Sequence, residues 1–314
     1  MASPSSPSPL TLDGRDWGTL LFLSLLWGGS FFFVGIAVKG LPPFTIVALR
    51  VVIASATLCL VLWARGMPLP FERRTLGLFL TMGLLNNVLP QTLIVWAQTH
   101  ITSGAASILN ATTPLFTVLI AHAFTQDERL TPAKLVGVGI GFGGVAAMMG
   151  PDAVAGLGSD LLAQGAILIA TLSYGFAGVY GRRFVRYQLP PMTTAAGALM
   201  GASLLLIPLS LVFETPWTLP QPATEVWGAV FGLALLSTAL AYALFYRLLG
   251  RAGASNLSLV TFLVPVSAIL LGAGILGETL ETRHLVGMAL ISCGLATLDG
   301  RPLRWLKPAS ASNG

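Results

Sequence analysis

The chain has 314 residues, 54% of them hydrophobic and only 9% charged, with a mean hydropathy of +0.81. A soluble domain carries about 25% charged residues. A globular core of this length cannot hide so much apolar surface, so a bilayer must be the solvent for much of it. The net charge of +5 and pI near 9.6 would suggest nucleic acid in a soluble protein, but the cations here orient membrane spans, and no nucleic-acid partner is expected. Cys59 and Cys293 both sit in apolar stretches, which leaves no disulfide framework and no metal spacing.

The N-terminus, Met1 to Leu12, is rich in Pro and Ser, and residues 1–16 are expected to be a disordered cytoplasmic segment. It lacks the basic start of a signal peptide, so the first apolar run should stay as a membrane helix. A membrane helix needs about 20 apolar residues. On that rule the chain divides into ten spans, 17–38, 44–64, 75–97, 102–124, 132–150, 160–181, 192–213, 225–247, 254–276 and 284–299. Proline pairs and single prolines punctuate them, as at Pro42-Pro43, Thr131-Pro132, Gly150-Pro151 and Pro190-Pro191. The last span is the shortest, and residues 300–314 form a polar tail.

Lysine and arginine set the orientation. With the N-terminus in the cytoplasm, fourteen of the seventeen cations fall in cytoplasmic segments, and only Lys39 and Arg283 in outer loops. This is a strong positive-inside bias, and it places both termini in the cytoplasm. The remaining cation, Arg50, lies inside the second span. Its head could snorkel outward or bond backbone carbonyls; the sharper reading is a role toward a substrate carboxylate.

The halves echo one another. Thr102 to Phe124 and Gly253 to Leu276 each open with small residues, carry a proline (Pro114, Pro265) and close just before a glutamate (Glu128, Glu278). Each proline deprives the carbonyl four residues back, at Asn110 or Thr261, of its helical donor. Interrupted helices at matching places in two halves point to a transporter's binding site, and Pro114 and Pro265 are the expected gating pivots. Five spans per half is an odd number, so the second half must be inverted. The expected fold is an all-α membrane protein of ten transmembrane helices, two inverted five-helix repeats (17–150 and 160–299) around a central cavity.

The chain resembles the drug/metabolite transporter superfamily, EamA type. The residues that carry the resemblance are Trp27-Gly28, Ala48-Leu49-Arg50, Ala105-Ala106-Ser107 to Pro114-Leu115, Glu128-Arg129-Leu130 and Gly137 with Gly144. In the second copy they are Ala241-Tyr242, Pro265-Val266, Gly277-Glu278-Thr279-Leu280 and Gly287. Length and layout are similar to the YddG-type aromatic amino-acid exporters. The resemblance implies a ten-helix basket lined by helices one, three, four, six, eight and nine, with five and ten outside.

Other constellations weigh less. Gly139-x-Gly141-x-x-Gly144 matches a dinucleotide fingerprint in form, but it lies inside an apolar run where close helix packing is the simpler role. No cofactor is expected. All twelve acids fall in termini, loops or span ends, which argues against a proton or sodium relay; His122 is the alternative proton carrier. Glu128 and Glu278 read as helix caps or loop anchors. An embedded enzyme would have to draw on Ser30 or Ser203 with His122, and neither serine has a supporting motif. A nucleotide-sugar carrier would want more cations in the cavity than Arg50.

Aromatic and neutral polar residues are left for recognition: Trp27, Asn87, Gln91, Trp96, Asn110, Tyr174, Ser237, Thr238, Tyr242 and Thr261, with Asn86 and Tyr246 nearby. They describe aromatic walls with uncharged donors and acceptors, suited to a small-molecule solute with an apolar side chain. The expectation is a secondary transporter of the inner membrane, monomeric or else a homodimer, that exports aromatic or neutral amino acids.

Overall fold

The computed structural model describes residues 13–67, 69–125, 130–149, 159–257 and 259–299. Residues 1–12, the tail 300–314, Glu128, Arg129 and the side chain of Tyr246 lie outside the described set.

Among the described residues ten helical rods succeed one another. They are α1 (Gly14–Ala37), α2 (Pro43–Ala64), α3 (Arg73–Ala97), α4 (Ser103–Phe124), α5 (Pro132–Met149), α6 (Ser159–Arg186), α7 (Pro191–Phe213), α8 (Thr224–Phe231 continued by Gly232–Leu240 and Ala241–Leu257), α9 (Val260–Ile275) and α10 (Thr282–Asp299). Seven are long and apolar enough to cross a bilayer, and α5, α9 and α10 are shorter apolar helices. Leu60 is 63% exposed and Leu270 68%; outward faces of this kind suit only a hydrocarbon solvent. The chain is a multi-pass membrane protein. Its near face is the one from which α1 starts, and its far face the one at which α1 ends.

The boundaries have local causes. Asp13 closes a capping box on α1, taking the Asp16 N–H at 2.7 Å. Pro43 and Pro191 open α2 and α7, where a missing N–H costs nothing. Gly277, at φ 69°, ends α9 in the left-handed region, and the Glu278 N–H returns to the Gly272 carbonyl at 3.1 Å.

The α5–α10 pair displays the inversion. A Cβ built on Gly137 would fall 2.7 Å from the Gly294 carbonyl, and one on Gly144 2.9 Å from that of Gly287. Gly137 and Gly144 correspond in sequence to Gly287 and Gly294, so each glycine meets the counterpart of the other. That reciprocity is the mark of a two-fold axis between antiparallel helices. The same rule links α1 to α9 and α6 to α4: Gly28 abuts Ser267, and its counterpart Gly175 abuts Phe116. Of the Gly139-x-Gly141-x-x-Gly144 run, Gly141 packs against Leu115 and Gly144 against α10, while Gly139 faces outward.

Four features bear on the sequence reading: one agrees with it and three depart from it. First, Pro114 does interrupt α4, which runs as Ser103–Asn110 and Thr113–Phe124 about a turn at Ala111–Thr112, with the orphaned Asn110 carbonyl accepting from the Thr113 hydroxyl at 2.7 Å. Second, Pro265 does not interrupt α9, which is continuous from Val260 to Ile275. Pro265 stands in the second turn, where little helix precedes it to be broken. Third, residues 254–257 end α8 rather than open α9. No proline follows Ala241 in that rod, and Arg251 anchors its added turns by ion pairs at 3.3 Å to Asp13 and Asp16 of α1.

The fourth is a pair of π-helical stretches, Leu84–Val88 in α3 and Gly232–Leu240 in α8. Their starts are separated by the same interval as Pro42 and Pro190. In α3, Pro90 cannot donate to the Asn86 carbonyl, and the widened turn absorbs the loss. In α8 the Thr238 hydroxyl donates to the Leu233 carbonyl, five residues back, at 2.8 Å. Single π turns concentrate at functional sites, and both of these face the central space.

Candidate functional site: the central cavity

A cavity of about 460 Å³ lies between the halves, within the size range of small-molecule sites. Its lining comes from α1, α2, α3, α4, α6, α8 and α9, and none of it from α5 or α10 among the described residues. The α2 contribution is a single side chain, Arg50.

Arg50 turns inward. Its Nε donates to the Thr238 hydroxyl at 2.8 Å. Because Thr238 passes its own proton to the Leu233 carbonyl, its oxygen is held as an acceptor and fixes the guanidinium. The π-helical stretch of α8 thereby positions the one charged group of the lining, which contains no carboxylate among the described residues. Snorkelling outward, one of the readings open from sequence, is not what Arg50 does.

Neutral polar groups surround it. Asn86 donates to the Tyr242 hydroxyl at 3.3 Å, and Gln91 donates to Asn87 at 3.1 Å. Gln91 Oε1, Asn110 Oδ1, Ser237 Oγ and both polar atoms of Gln98 are buried without a protein hydrogen bond. Groups of this kind require partners, and all of these residues line the cavity. On another part of the wall the Trp27 and Phe245 rings sit 5.4 Å apart at 41°. The site therefore offers an aromatic wall, one fixed cation and several uncharged donors and acceptors.

Of the residues singled out from sequence, Trp27, Arg50, Gln91, Asn110, Tyr174, Ser237 and Tyr242 meet at this cavity. Asn87 is fully buried behind Gln91, and Thr238 behind Arg50; both are braces rather than lining. Trp96 lies off the lining, its ring 4.8 Å from that of His100 and tilted at 49°. Thr261, in the first turn of α9, also lies off it. Pro114 adjoins the lining residue Thr113, and Pro265 adjoins Val264. His122 is exposed near the end of α4 and accepts from the Leu130 N–H at 3.3 Å, away from the cavity. Ser30 and Ser203 donate to the carbonyls of Trp27 and Leu199, so neither is hydrogen-bonded to His122.

Sequence reasoning passed over Phe245, Gln98 and Met82 as lining residues. Phe245 was findable, standing three residues after Tyr242 on one helix face. Gln98 comes just after the end of α3 and reads as a loop residue.

The far face is tied by two carboxylates. Glu278 accepts from the Ser103 N–H at 2.9 Å, the Ser103 hydroxyl at 2.6 Å and the Gly104 N–H at 3.2 Å. Glu214 accepts from the N–H groups of Phe44 at 2.8 Å and Thr45 at 2.6 Å, and from the Thr45 hydroxyl at 2.8 Å. Each closes the N-terminus of a first-half helix, where free N–H groups favour an anion. The cap expected of Glu278 is thus supplied to α4, and sequence reasoning assigned Glu214 no such part.

The profile of the EamA-like transporter family matches residues 17–150 and 161–298. The chain is 30% identical over 302 residues to the uncharacterized inner membrane transporter YedA of Escherichia coli (strain K12), covering 94% of each. It is 27% identical over 277 residues to the uncharacterized transporter YoaV of Bacillus subtilis, covering 88% of this chain and 94% of that one. A probable terminal-alkyne amino-acid exporter of Streptantibioticus cattleyicolor is 24% identical over 302 residues, covering 96% and 98%. A solved crystal structure shares the fold, with a TM-score of 0.66 and 22% identity over 94% of this chain and 100% of the other.

Proposed function

The chain belongs to the EamA-like transporter family, and from that premise we propose that it exports small organic solutes of the amino-acid class, those with aromatic or other apolar side chains, through the central cavity. The observation that carries this reading is the composition of the cavity wall. The Trp27–Phe245 pair suits an apolar side chain, while Arg50 and the unpartnered amides suit the polar end of the same molecule. The amino-acid exporter among the relatives supports the class.

The cycle is alternating access about the seam between two EamA units, 17–150 and 160–299, with both termini cytoplasmic, an orientation the distribution of cations supports. The Pro114 turn of α4 and the Pro265 segment of α9 are the moving parts. Among the described residues no carboxylate stands in the lining, which favours a solute running down its own gradient over strong ion coupling. The protein works as a monomer in the inner membrane. A drug or nucleotide-sugar carrier is the second reading within the family.

The test is counterflow in liposomes with labelled phenylalanine, leucine, N-acetylphenylalanine, a cationic drug and a nucleotide sugar. Saturable exchange of the amino acids or their close derivatives is expected. Exchange of the drug or the nucleotide sugar alone would overturn the reading. A several-fold dependence on an imposed proton gradient would remove the uncoupled mechanism. Pro114→Ala and Pro265→Ala should slow exchange in a protein that still folds, and unchanged rates in both would refute the gating role.

A further inference from the structure

The charge balance of the cavity narrows the solute further. Arg50 is held by Thr238 through Nε alone, at 2.8 Å. Among the described residues it has no carboxylate within ion-pair distance, and the lining has no acid at any position. A guanidinium stays protonated at any physiological pH and presents a planar fork matched to a carboxylate. At membrane depth an unpaired cation is costly, so a partner is to be expected. Its other N–H groups remain for a ligand, because Thr238 occupies only the Nε side.

A zwitterion would meet this site badly. Its carboxylate would find Arg50, but its ammonium would find only neutral oxygens, such as Asn110 Oδ1 and Gln91 Oε1, in a cavity already carrying one positive charge. Like charges in a low-dielectric space repel strongly. A monocarboxylate without a charged amine neutralises Arg50, leaves nothing unpaired, and still lays an apolar body on Trp27 and Phe245.

We propose that the solute is carried as a net monoanion, its carboxylate on Arg50 and its apolar body on the Trp27–Phe245 wall. The substrate class is therefore an apolar monocarboxylate whose amine is absent or acylated. This rests on the export reading and sharpens it. It also supplies a driving force where the cavity has no relay acid. An anion leaving a cell that is negative inside moves down the membrane potential, and 100 mV multiplies its equilibrium outward ratio about fiftyfold.

The experiment uses one apolar body in three charge states: phenylalanine, N-acetylphenylalanine and phenylalanine methyl ester. The wild-type protein in liposomes is assayed for protein-dependent flux of each of the first two, and for competition by all three, under potassium diffusion potentials of either sign. Saturable flux of N-acetylphenylalanine is expected, accelerated when the side it leaves is negative, slowed when the sign is reversed, and competed at least tenfold less well by the ester. Arg50→Gln should abolish it and Arg50→Lys retain part, with both variants monodisperse and melting near wild type. The wild-type arms stand alone if a variant does not fold. Flux of phenylalanine without flux of its acetyl derivative, or anion flux indifferent to potential, overturns the proposal and leaves the export reading intact. Flux of none of the probes removes both.

Discussion

The α5–α10 pair and the cavity wall are built from the same apolar alphabet and behave as opposites. In the pair, glycines remove side chains so that backbones touch: a Cβ on Gly294 would fall 2.6 Å from the Gly137 carbonyl. Such contact is dry and leaves no room for alternatives. In the wall, π-helical turns and the broken α4 hold side chains apart, and polar atoms stay unpaired. Close packing resists deformation, whereas a wall with unsatisfied groups has something to gain from a ligand. The contrast separates a part of the molecule packed without slack from a part with polar groups to spare.

Breaking the fixed part should cost most. Gly294→Leu forces a side chain into the α5 backbone, and a loss of about 3 kcal/mol or more is expected, read as aggregation or a collapsed melting temperature in detergent. Gly139→Leu is the matched control: a Cβ there meets nothing within 4 Å, and the change should stay within about 0.5 kcal/mol. If both glycines respond alike, close approach is not what holds the pair. Next come the far-face carboxylates. Glu278→Ala strands the donors of Ser103 and Gly104, and a loss of about 1–2 kcal/mol is expected from the cap alone, visible as a lower melting temperature. Glu278→Gln should recover part of it.

On the wall, Trp27→Ala should leave the melting temperature near wild type and weaken solute affinity by about 0.5–1.5 kcal/mol, a roughly two- to tenfold rise in half-saturation in counterflow. The smallest effect lies at the start of α1. The Asp16 N–H holds the Asp13 carboxyl below its ordinary pKa. A depressed folded pKa means a contribution fully present above the ordinary carboxylate range and lost as the pH falls from there through the depressed value. Asp13→Asn should therefore narrow the gap between melting temperatures at pH 7 and pH 3, and an unchanged gap would show that the cap is inert.

Much of this architecture was legible because membrane physics writes in large letters. A bilayer demands long apolar runs, and prolines and glycines mark where they stop, so the rods lie where the run lengths put them except at the boundary between α8 and α9. The inversion was legible from an odd span count and repeated glycines, which reappear as reciprocal contacts between α5 and α10. Less readable was anything depending on which way a side chain turns. α2 is apolar on every side, so nothing in its sequence says that Arg50 faces inward; that is decided by Thr238, 188 residues away. The π turn of α3 hides behind Pro90, which reads as an ordinary kink, and that of α8 has no proline at all. The echo of Pro114 in Pro265 was real as sequence but unequal as structure, because α9 begins too close to Pro265 for an interruption to form. Trp96 and Thr261 had the right chemistry and depth but the wrong direction.

The matched π turns have a consequence for how the chain arose. A π turn is a helix carrying one residue more than its neighbours need. Removing one from Leu84–Val88 would swing the rest of α3 by about 100°, taking Gln91, Ile94 and Val95 off the lining. Two such insertions landing by chance at corresponding points of two copies would be a coincidence of position and of outcome. A single insertion in an ancestral five-helix unit, made before the gene doubled, accounts for both, and makes the extra residue in these rods older than the two-copy chain.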